Sequence, residues 1–240
     1  MRTMATLNWG ASDNVVEEVG SVVDVWVQSY GGEHPPATEA YNETVVENWL
    51  ASSDTHEYWN YWCCCYHIPS CLNNFVEWPA IHSRLFVWLS AYRNATGLLY
   101  YATNRWFGGG EKAHANASHT PIHRLSEFSA RSDFDPNSYA EADGDGLYFY
   151  PGPDGPVTSI RYENLRAGLQ DVELLHMAQA TAEGDASLRA EIRKIIGSVI
   201  TDVEEQFRRE DPQVIEAARK QLADIIVRRR APAMLHSDDP

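Results

Sequence analysis

The sequence predicts an α/β fold in which short parallel strands alternate with amphipathic helices. Residues 22–27, 58–66 and 97–103 are nearly continuous runs of β-branched, aliphatic, aromatic or cysteine residues, as in strands buried on both faces. The first two runs are followed by segments with apolar residues at helical spacing. With a shorter unit before them, they make four β/α units, half of an eight-stranded (β/α)8 barrel. An open doubly wound sheet has the same pattern and remains the alternative.

The first two units are short. Residues 5–9 form an apolar strand, and residues 14–19 carry apolar side chains at helical spacing. Residues 22–27 form the second strand. The segment 37–50 follows as a helix whose apolar positions are Tyr41, Val45, Val46, Trp49 and Leu50.

The third and fourth units contain most of the aromatic residues. Residues 58–66 form the third strand and 97–103 the fourth. Between them, residues 77–92 form a helix with one apolar face, which consists of Ile81, Leu85, Trp88 and Leu89. Residues 104–140 are rich in Gly, His, Ser and Asn and too long for a plain connection. We expect them to form a functional loop at the carboxyl end of the strands.

A β-hairpin insertion and a helical tail follow. Segments 146–150 and 157–160 flank a Pro/Gly-rich turn, and Ser159 is placed to cap a helix over 161–182. The sequence therefore predicts three parts: a partial barrel of about strands five to eight over residues 1–182, a helical hairpin over 183–232, and a disordered end over 233–240.

The two tail helices have distinct signatures. The first carries an apolar stripe that consists of Leu188, Ile192, Ile195, Val199, Val203 and Phe207. The second opens with Asp211 as cap and Pro212 at its first position. Arg228, Arg229 and Arg230 near its carboxyl end complement the helix dipole.

The charge balance argues against two classes of partner. Acidic residues outnumber basic ones by 34 to 19, which gives a formal net charge of −15. Such a chain is repelled by phosphate backbones and by anionic membrane surfaces. We therefore expect neither nucleic acid nor a membrane as partner.

Targeting signals leave the localisation undefined. The first residues lack a continuous apolar core of the signal-peptide type, and no apolar run is long enough for a membrane span. Three glycosylation sequons, at Asn42, Asn94 and Asn116, are compatible with a secreted full-length parent.

Metal and cofactor signatures are weak. Cys63, Cys64 and Cys65 are consecutive and Cys71 is the only other cysteine, which favours buried thiols over a zinc site. Three histidines of the long loop, His114, His119 and His123, have no further ligand at suitable spacing. The run Asp143-Gly-Asp-Gly146 lacks the other oxygen ligands of a calcium loop and indicates a turn. We expect no metal and no cofactor.

Two blocks resemble the catalytic barrels of glycoside hydrolase family 123. The strands Val23–Val27, Tyr58–Cys63 and Gly97–Trp106 are similar to consecutive late strands of that family. Gly144–Gly152 and Ser159–Asp171 resemble its carboxyl-terminal signature, which is the more specific block. The resemblance extends over about residues 3–180 and identifies the units as the carboxyl-terminal half of the barrel.

The resemblance implies an activity and also exposes an absence. Relatives cleave β-linked N-acetylgalactosamine from glycans by substrate-assisted hydrolysis. An adjacent Asp-Glu pair on an earlier strand steadies the oxazolinium and protonates the leaving oxygen. The present sequence contains no Asp-Glu dipeptide. Neither Asp24, inside a strand, nor Glu57, before one, forms a convincing substitute pair, so we expect no turnover from this isolated chain.

The sugar-binding half of the site is still expected. Ligands of barrels contact residues at the carboxyl ends of strands and in the loops that follow. The candidates for a glycan or amino-sugar ligand are Trp26, Tyr61, Tyr101, Asn104 and Trp106. Their aromatic faces suit sugar C–H surfaces, and Asn104 offers both a donor and an acceptor.

Two interpretations of the function follow. The chain is a fragment of a family 123-like glycosidase, or it is a non-catalytic carbohydrate-binding or structural module. In both cases half a barrel has two open strand edges. We therefore expect self-association, or association with a missing amino-terminal half, through those edges.

Overall fold

A four-stranded parallel sheet is the centre of the fold. The computed structural model describes residues 2–7, 20–29, 43–62, 72–104, 144–152, 154–200 and 211–234. The strands lie in sequence order as β1 (Met4–Leu7), β2 (Val25–Ser29), β3 (Glu57–Trp62) and β4 (Gly97–Tyr100). All three neighbouring pairs are parallel. The predicted α/β class with a parallel sheet is confirmed.

Strands β2 and β4 differ from the predicted bounds of 22–27 and 97–103. A short 3-10 helix at Gly20–Val22 precedes β2, so that this strand begins at Val25. Strand β4 ends at Tyr100 because the chain bends there, and Asn104 then makes an antiparallel bridge with Leu147. The four cysteines and the predicted helix over 14–19 lie outside the described residues.

Two helices cover one face of the sheet. They are α1 (Glu43–Ala51) and α2 (His82–Tyr92). Helix α2 begins five residues later than predicted, since residue 78 precedes Pro79 and that position disfavours helical backbone. A turn in which Trp78 N donates to Phe75 O (3.2 Å) fills this stretch instead.

A residue with left-handed backbone follows shortly after the end of helix α2. Asn94 has φ 55°, a conformation that asparagine tolerates better than most side chains. Asn94 is exposed, and the other two predicted sequons lie outside the described residues.

The hairpin and the helix after it are as predicted in kind. Strands β5 (Phe149–Gly152) and β6 (Gly155–Thr158) pair antiparallel, and helix α3 spans Ile160–Thr181. Ser159 caps α3, because its side chain accepts a hydrogen bond from Tyr162 N (3.1 Å). The cap fixes where the hairpin becomes a helix.

The tail consists of helices α4 (Ala186–Val199) and α5 (Pro212–Met234). Asp211 Oδ1 accepts from Gln213 N at 2.9 Å, which confirms the predicted cap of α5. Helix α4 packs on α2 and α5, and α5 packs on α3 and α4. All four helices share one apolar cluster, whose buried members include Leu85, Leu175, Ile192, Ile215 and Leu222. The tail therefore extends the helix layer that lies on the sheet.

A buried carboxylate joins three of these helices. Asp171 on α3 is 1% exposed and accepts from Arg84 Nε (2.7 Å) and Trp88 Nε1 (2.8 Å) of α2. Arg219 of α5 donates to the same carboxylate. Arg84 also pairs with Glu216 of α5 at 2.9 Å.

None of the described helices is long and apolar enough to span a membrane.

Candidate functional site

The two faces of the sheet have different roles. On β3, Asn60 donates to Ser90 Oγ of α2 (2.8 Å), and Trp62 stacks on Phe86 of the same helix with ring centroids 3.9 Å apart. These side chains point toward the helix layer. Because successive side chains of a strand alternate, Trp59 and Tyr61 point to the opposite face, which we call the open face.

Tyr61 lies on the open face near the carboxyl end of β3. It is half-buried and pairs in register with Leu99 of β4. Tyr101 follows two residues after Leu99 and is 37% exposed, with its ring edge-on to that of Tyr100 at 5.4 Å. The fold thus brings Tyr61 and Tyr101 to the ends of neighbouring strands.

A glycine allows a tryptophan to lie flat beside Tyr61. A β-carbon at Gly97 would come within 2.5 Å of the Trp59 ring, so only glycine fits under this indole. Trp59 Nε1 donates to Glu57 Oε2 at 2.9 Å. Two aromatic side chains of β3, Trp59 and Tyr61, therefore lie next to each other on the open face.

Trp26 is a core residue, contrary to its predicted place in a binding cleft. It is 2% exposed and packs edge-on against Trp49 of α1, with ring centroids 5.8 Å apart. Its Nε1 donates to Gln28 Oε1 at 3.3 Å. The residue is the second of β2, far from the carboxyl end, and it points toward the helix layer.

Asn104 is exposed next to the hairpin. Its neighbour Thr103 accepts backbone hydrogen bonds from Tyr148 N (2.8 Å) and Phe149 N (3.0 Å). This places Asn104 at the carboxyl side of the sheet, on the same side as Tyr101. Trp106 and the long loop with its histidines lie outside the described residues.

The predicted turn at residues 143–146 is described from Gly144 onward, and hydrogen bonds with Tyr100 stabilise it. The phenol of Tyr100 donates to Asp145 Oδ1 (3.0 Å) and accepts from Gly146 N (2.6 Å). Asp145 is 7% exposed. Burial, and then the charge of Asp145, raises the pKa of Tyr100 well above its ordinary value. The phenol therefore stays protonated and can keep donating to this carboxylate.

Arg161, at the start of α3, fixes the same turn from the other side. Its Nη1 donates to the carbonyl oxygens of Gly144 (2.8 Å) and Asn74 (2.7 Å), and its Nη2 to Tyr150 Oη (2.5 Å). Gly144 has φ 78°, and a β-carbon there would collide with this guanidinium. These contacts explain why Gly144 and Arg161 occur in the two signature motifs, Gly144-Asp-Gly and Ser159-Ile-Arg. The sequence alone did not indicate this structural role.

Two carboxylates that could have substituted for an acid pair lie at the wrong end of the sheet. Asp24 directly precedes β2 and accepts from Thr3 N at 2.6 Å. Glu57 opens β3 and pairs with Arg2 at 2.5 Å, and the hydrogen bond from Arg2 lowers the pKa of Glu57. Both lie at the amino ends of the strands, whereas Tyr61 and Tyr101 lie at the carboxyl ends.

Within the described ranges no group of three metal-ligating side chains occurs.

A family model matches most of the chain, and a solved structure has a similar fold. Residues 10–178 match the family model described as "Glycoside hydrolase 123, catalytic domain". The chain is also similar to a solved family 123 glycoside hydrolase from Clostridium perfringens, the subject of a structural analysis of glycolipid glycan hydrolysis. The sequences are 13% identical, with a TM-score of 0.56 over 100% of this chain and 37% of that one. This chain thus spans little more than a third of that protein's length. The search of curated proteins found no match to this chain.

Proposed function

We propose, from the premise that this chain belongs to the glycoside hydrolase 123 catalytic-domain family, that it is the sugar-binding part of a glycosidase barrel. In this proposal β1 to β4 are strands five to eight of a (β/α)8 barrel, and the open face is the barrel interior. The ligand is β-linked N-acetylgalactosamine, as the resemblance to the family implies.

The observation that carries the proposal is the position of Tyr61 and Tyr101. They lie at the carboxyl ends of neighbouring parallel strands, which is where barrel enzymes bind their ligands. Aromatic rings offer apolar faces with a polar tip, which suits a flat sugar with hydroxyl groups at its rim. Asn104 lies on the same side and can donate to and accept from such hydroxyls.

The same geometry predicts binding without hydrolysis. Substrate-assisted cleavage needs a carboxyl acid beside the scissile oxygen and a carboxylate that orients the acetamido group. No Asp-Glu dipeptide occurs in the chain, and Asp24 and Glu57 are engaged at the opposite edge. General acid catalysis contributes roughly 10²- to 10⁴-fold. The residues of this chain would therefore hold and orient the sugar, while the proton transfer requires groups from an earlier strand.

Calorimetric titration with methyl N-acetyl-β-galactosaminide tests the proposal. We expect saturable binding that weakens at least tenfold in Tyr61→Ala and in Tyr101→Ala. The matched control is Tyr92→Ala, a half-buried tyrosine at the end of α2, which should leave the dissociation constant unchanged. Loss of binding in neither site variant, or no binding by the parent protein, would contradict the proposal and favour a purely structural module.

The proposal that the chain is part of a longer glycosidase has an independent test. The coding sequence before Met1 should contain an in-frame half barrel with one strand ending in Asp-Glu. A stop codon directly upstream would count against this part of the proposal, while leaving the sugar-binding test unaffected.

A further inference from the structure

Tyr101 lies just beyond the part of β4 that the sheet holds. Within the described residues, the ladder between β3 and β4 ends at the pair Trp62 and Tyr100, and the chain bends at Tyr101. Tyr101 is 37% exposed, so a large part of its side chain is open to a ligand. The orientation of this side chain therefore depends on what holds the chain on either side of it.

On the amino side, the chain is held by the side chain of Tyr100. This residue pairs in register with Trp62 and points, like Trp62, toward the helix layer, with the two ring centroids 5.8 Å apart. Its hydroxyl donates to Asp145 Oδ1 (3.0 Å) and accepts from Gly146 N (2.6 Å). One hydroxyl thus joins the last residue of β4 to two successive residues of the turn.

On the carboxyl side, the chain is held through its backbone. Tyr148 N and Phe149 N both donate to Thr103 O, at 2.8 and 3.0 Å, and Asn104 forms an antiparallel bridge with Leu147. We call residues 144–149 the turn segment. It is bonded to the end of β4 both before and after Tyr101.

The turn segment is itself anchored to the start of α3. Arg161 Nη1 donates to Gly144 O at 2.8 Å, and Ser159 N donates to Tyr148 O at 2.9 Å. These two bonds hold the turn segment near both of its ends. The support for Tyr101 is therefore continuous from α3, through the turn segment, to the end of β4.

We propose that Tyr100 and Asp145 are positioning residues, which hold Tyr101 in the orientation that contacts the sugar. Asp145 is 7% exposed, and hydrogen bonds between buried groups are costly to lose. Removal of the Tyr100 hydroxyl eliminates the bonds that Asp145 Oδ1 and Gly146 N make with it, so the turn segment and Tyr101 gain freedom to move. The effect on the ligand rests on the proposed function, whereas the hold on the strand end does not.

A double-mutant cycle on sugar affinity tests whether Tyr100 acts through Tyr101. In calorimetric titration with methyl N-acetyl-β-galactosaminide, Tyr100→Phe should weaken binding about fivefold, a usual size of coupling between neighbouring residues. In the Tyr101→Ala background the same change should matter less than about twofold, because the residue that it positions is gone. In the Tyr61→Ala background it should keep its full effect, since Tyr61 lies on β3.

Two further comparisons separate positioning from a general loss of stability. Asp185→Ala removes the cap of α4, where Asp185 Oδ1 accepts from Leu188 N at 3.0 Å. This variant should lower the urea midpoint and leave the sugar affinity unchanged. Asp145→Asn keeps an oxygen that can accept from Tyr100, so it should retain most of the affinity that Asp145→Ala loses. Asp145→Ala replaces Tyr100→Phe in the cycle if that variant does not fold.

Amide hydrogen exchange tests the hold on the strand end without a ligand. Tyr100→Phe should accelerate exchange at the amides of Tyr148 and Phe149, although their acceptor is Thr103 O, whereas Asp185→Ala should not. Unchanged exchange at both amides would overturn the proposal, as would an equal loss of affinity in the Tyr101→Ala and Tyr61→Ala backgrounds. Absence of binding by the parent protein would contradict the proposed function and with it the role toward the sugar, while the exchange result decides the hold on the strand end by itself.

Discussion

Single residues define both the stability and the candidate site of this protein. Tyr61 and Trp26 are both aromatic residues of strands, yet one lies on the open face and the other packs against Trp49. The alternation of strand side chains is predictable from the sequence. Which of the two faces meets the helices is not, because that depends on tertiary packing against α1 and α2. This is why the sequence could not show that Trp26 lies in the core, whereas the role of Tyr61 as a sugar-binding residue stays a prediction.

The buried carboxylate of Asp171 leads to the first prediction. Asp171→Asn would leave the guanidinium groups of Arg84 and Arg219 without their shared anion. Breaking a buried ion pair on one side costs about 3–5 kcal/mol, and we expect a loss of this size in urea unfolding. Glu173→Gln, an exposed change on the same helix, should stay within about 0.5 kcal/mol. Equal effects of the two variants would contradict the role of the buried carboxylate.

Alkaline pH provides the second prediction. Burial raises the pKa of Tyr148 above its ordinary value, so in the folded protein its phenol keeps a proton that the unfolded chain loses above about pH 10. The unfolded state then binds fewer protons, and the free energy of unfolding falls as pH rises through this window. Tyr148→Phe should flatten that fall, whereas Tyr92→Phe should preserve it. An unchanged slope in Tyr148→Phe would refute the assignment.

Elements were predictable in kind and order, and less so in their limits. Caps at Ser159 and Asp211 are local signals, and both occur where the sequence places them. The start of α2 depends on the turn before Pro79, which competes with the helical spacing that begins at residue 77. The contacts of α4 and α5 with α2 and α3 were not predictable, because an apolar stripe shows that a helix is covered but not by what.

The cap of α3 gives the third prediction. Ser159 is the link between the hairpin and the helix, and its side chain accepts from Tyr162 N. Ser159→Ala should cost about 1 kcal/mol of stability, the usual value for losing an N-cap. The control is Ser187→Ala, an exposed serine in the first turn of α4, for which we expect almost no change in the urea midpoint. A cost for both, or for neither, would show that the cap hydrogen bond is not the cause.

At the scale of the whole molecule, the strongly acidic charge opposes self-association through the two outer strands of the described sheet, β1 and β4. Each chain carries a formal net charge of −15, so two copies repel each other at low ionic strength. The family could be predicted from the sequence because two blocks of it resemble that family, and the matched residues 10–178 include both. The sequence also predicts two outer strands, and in the described sheet, whose strands lie in sequence order, these are β1 and β4.

The most direct test of the central claim, sugar binding without chemistry, is the release of nitrophenol from 4-nitrophenyl N-acetyl-β-galactosaminide at concentrations that saturate the binding site. The lack of an Asp-Glu dipeptide in the sequence, together with the position of Asp24 and Glu57 at the amino ends of the strands, predicts a rate indistinguishable from buffer. A rate that rises in proportion to protein concentration would contradict the claim and would point to an acid elsewhere in the chain.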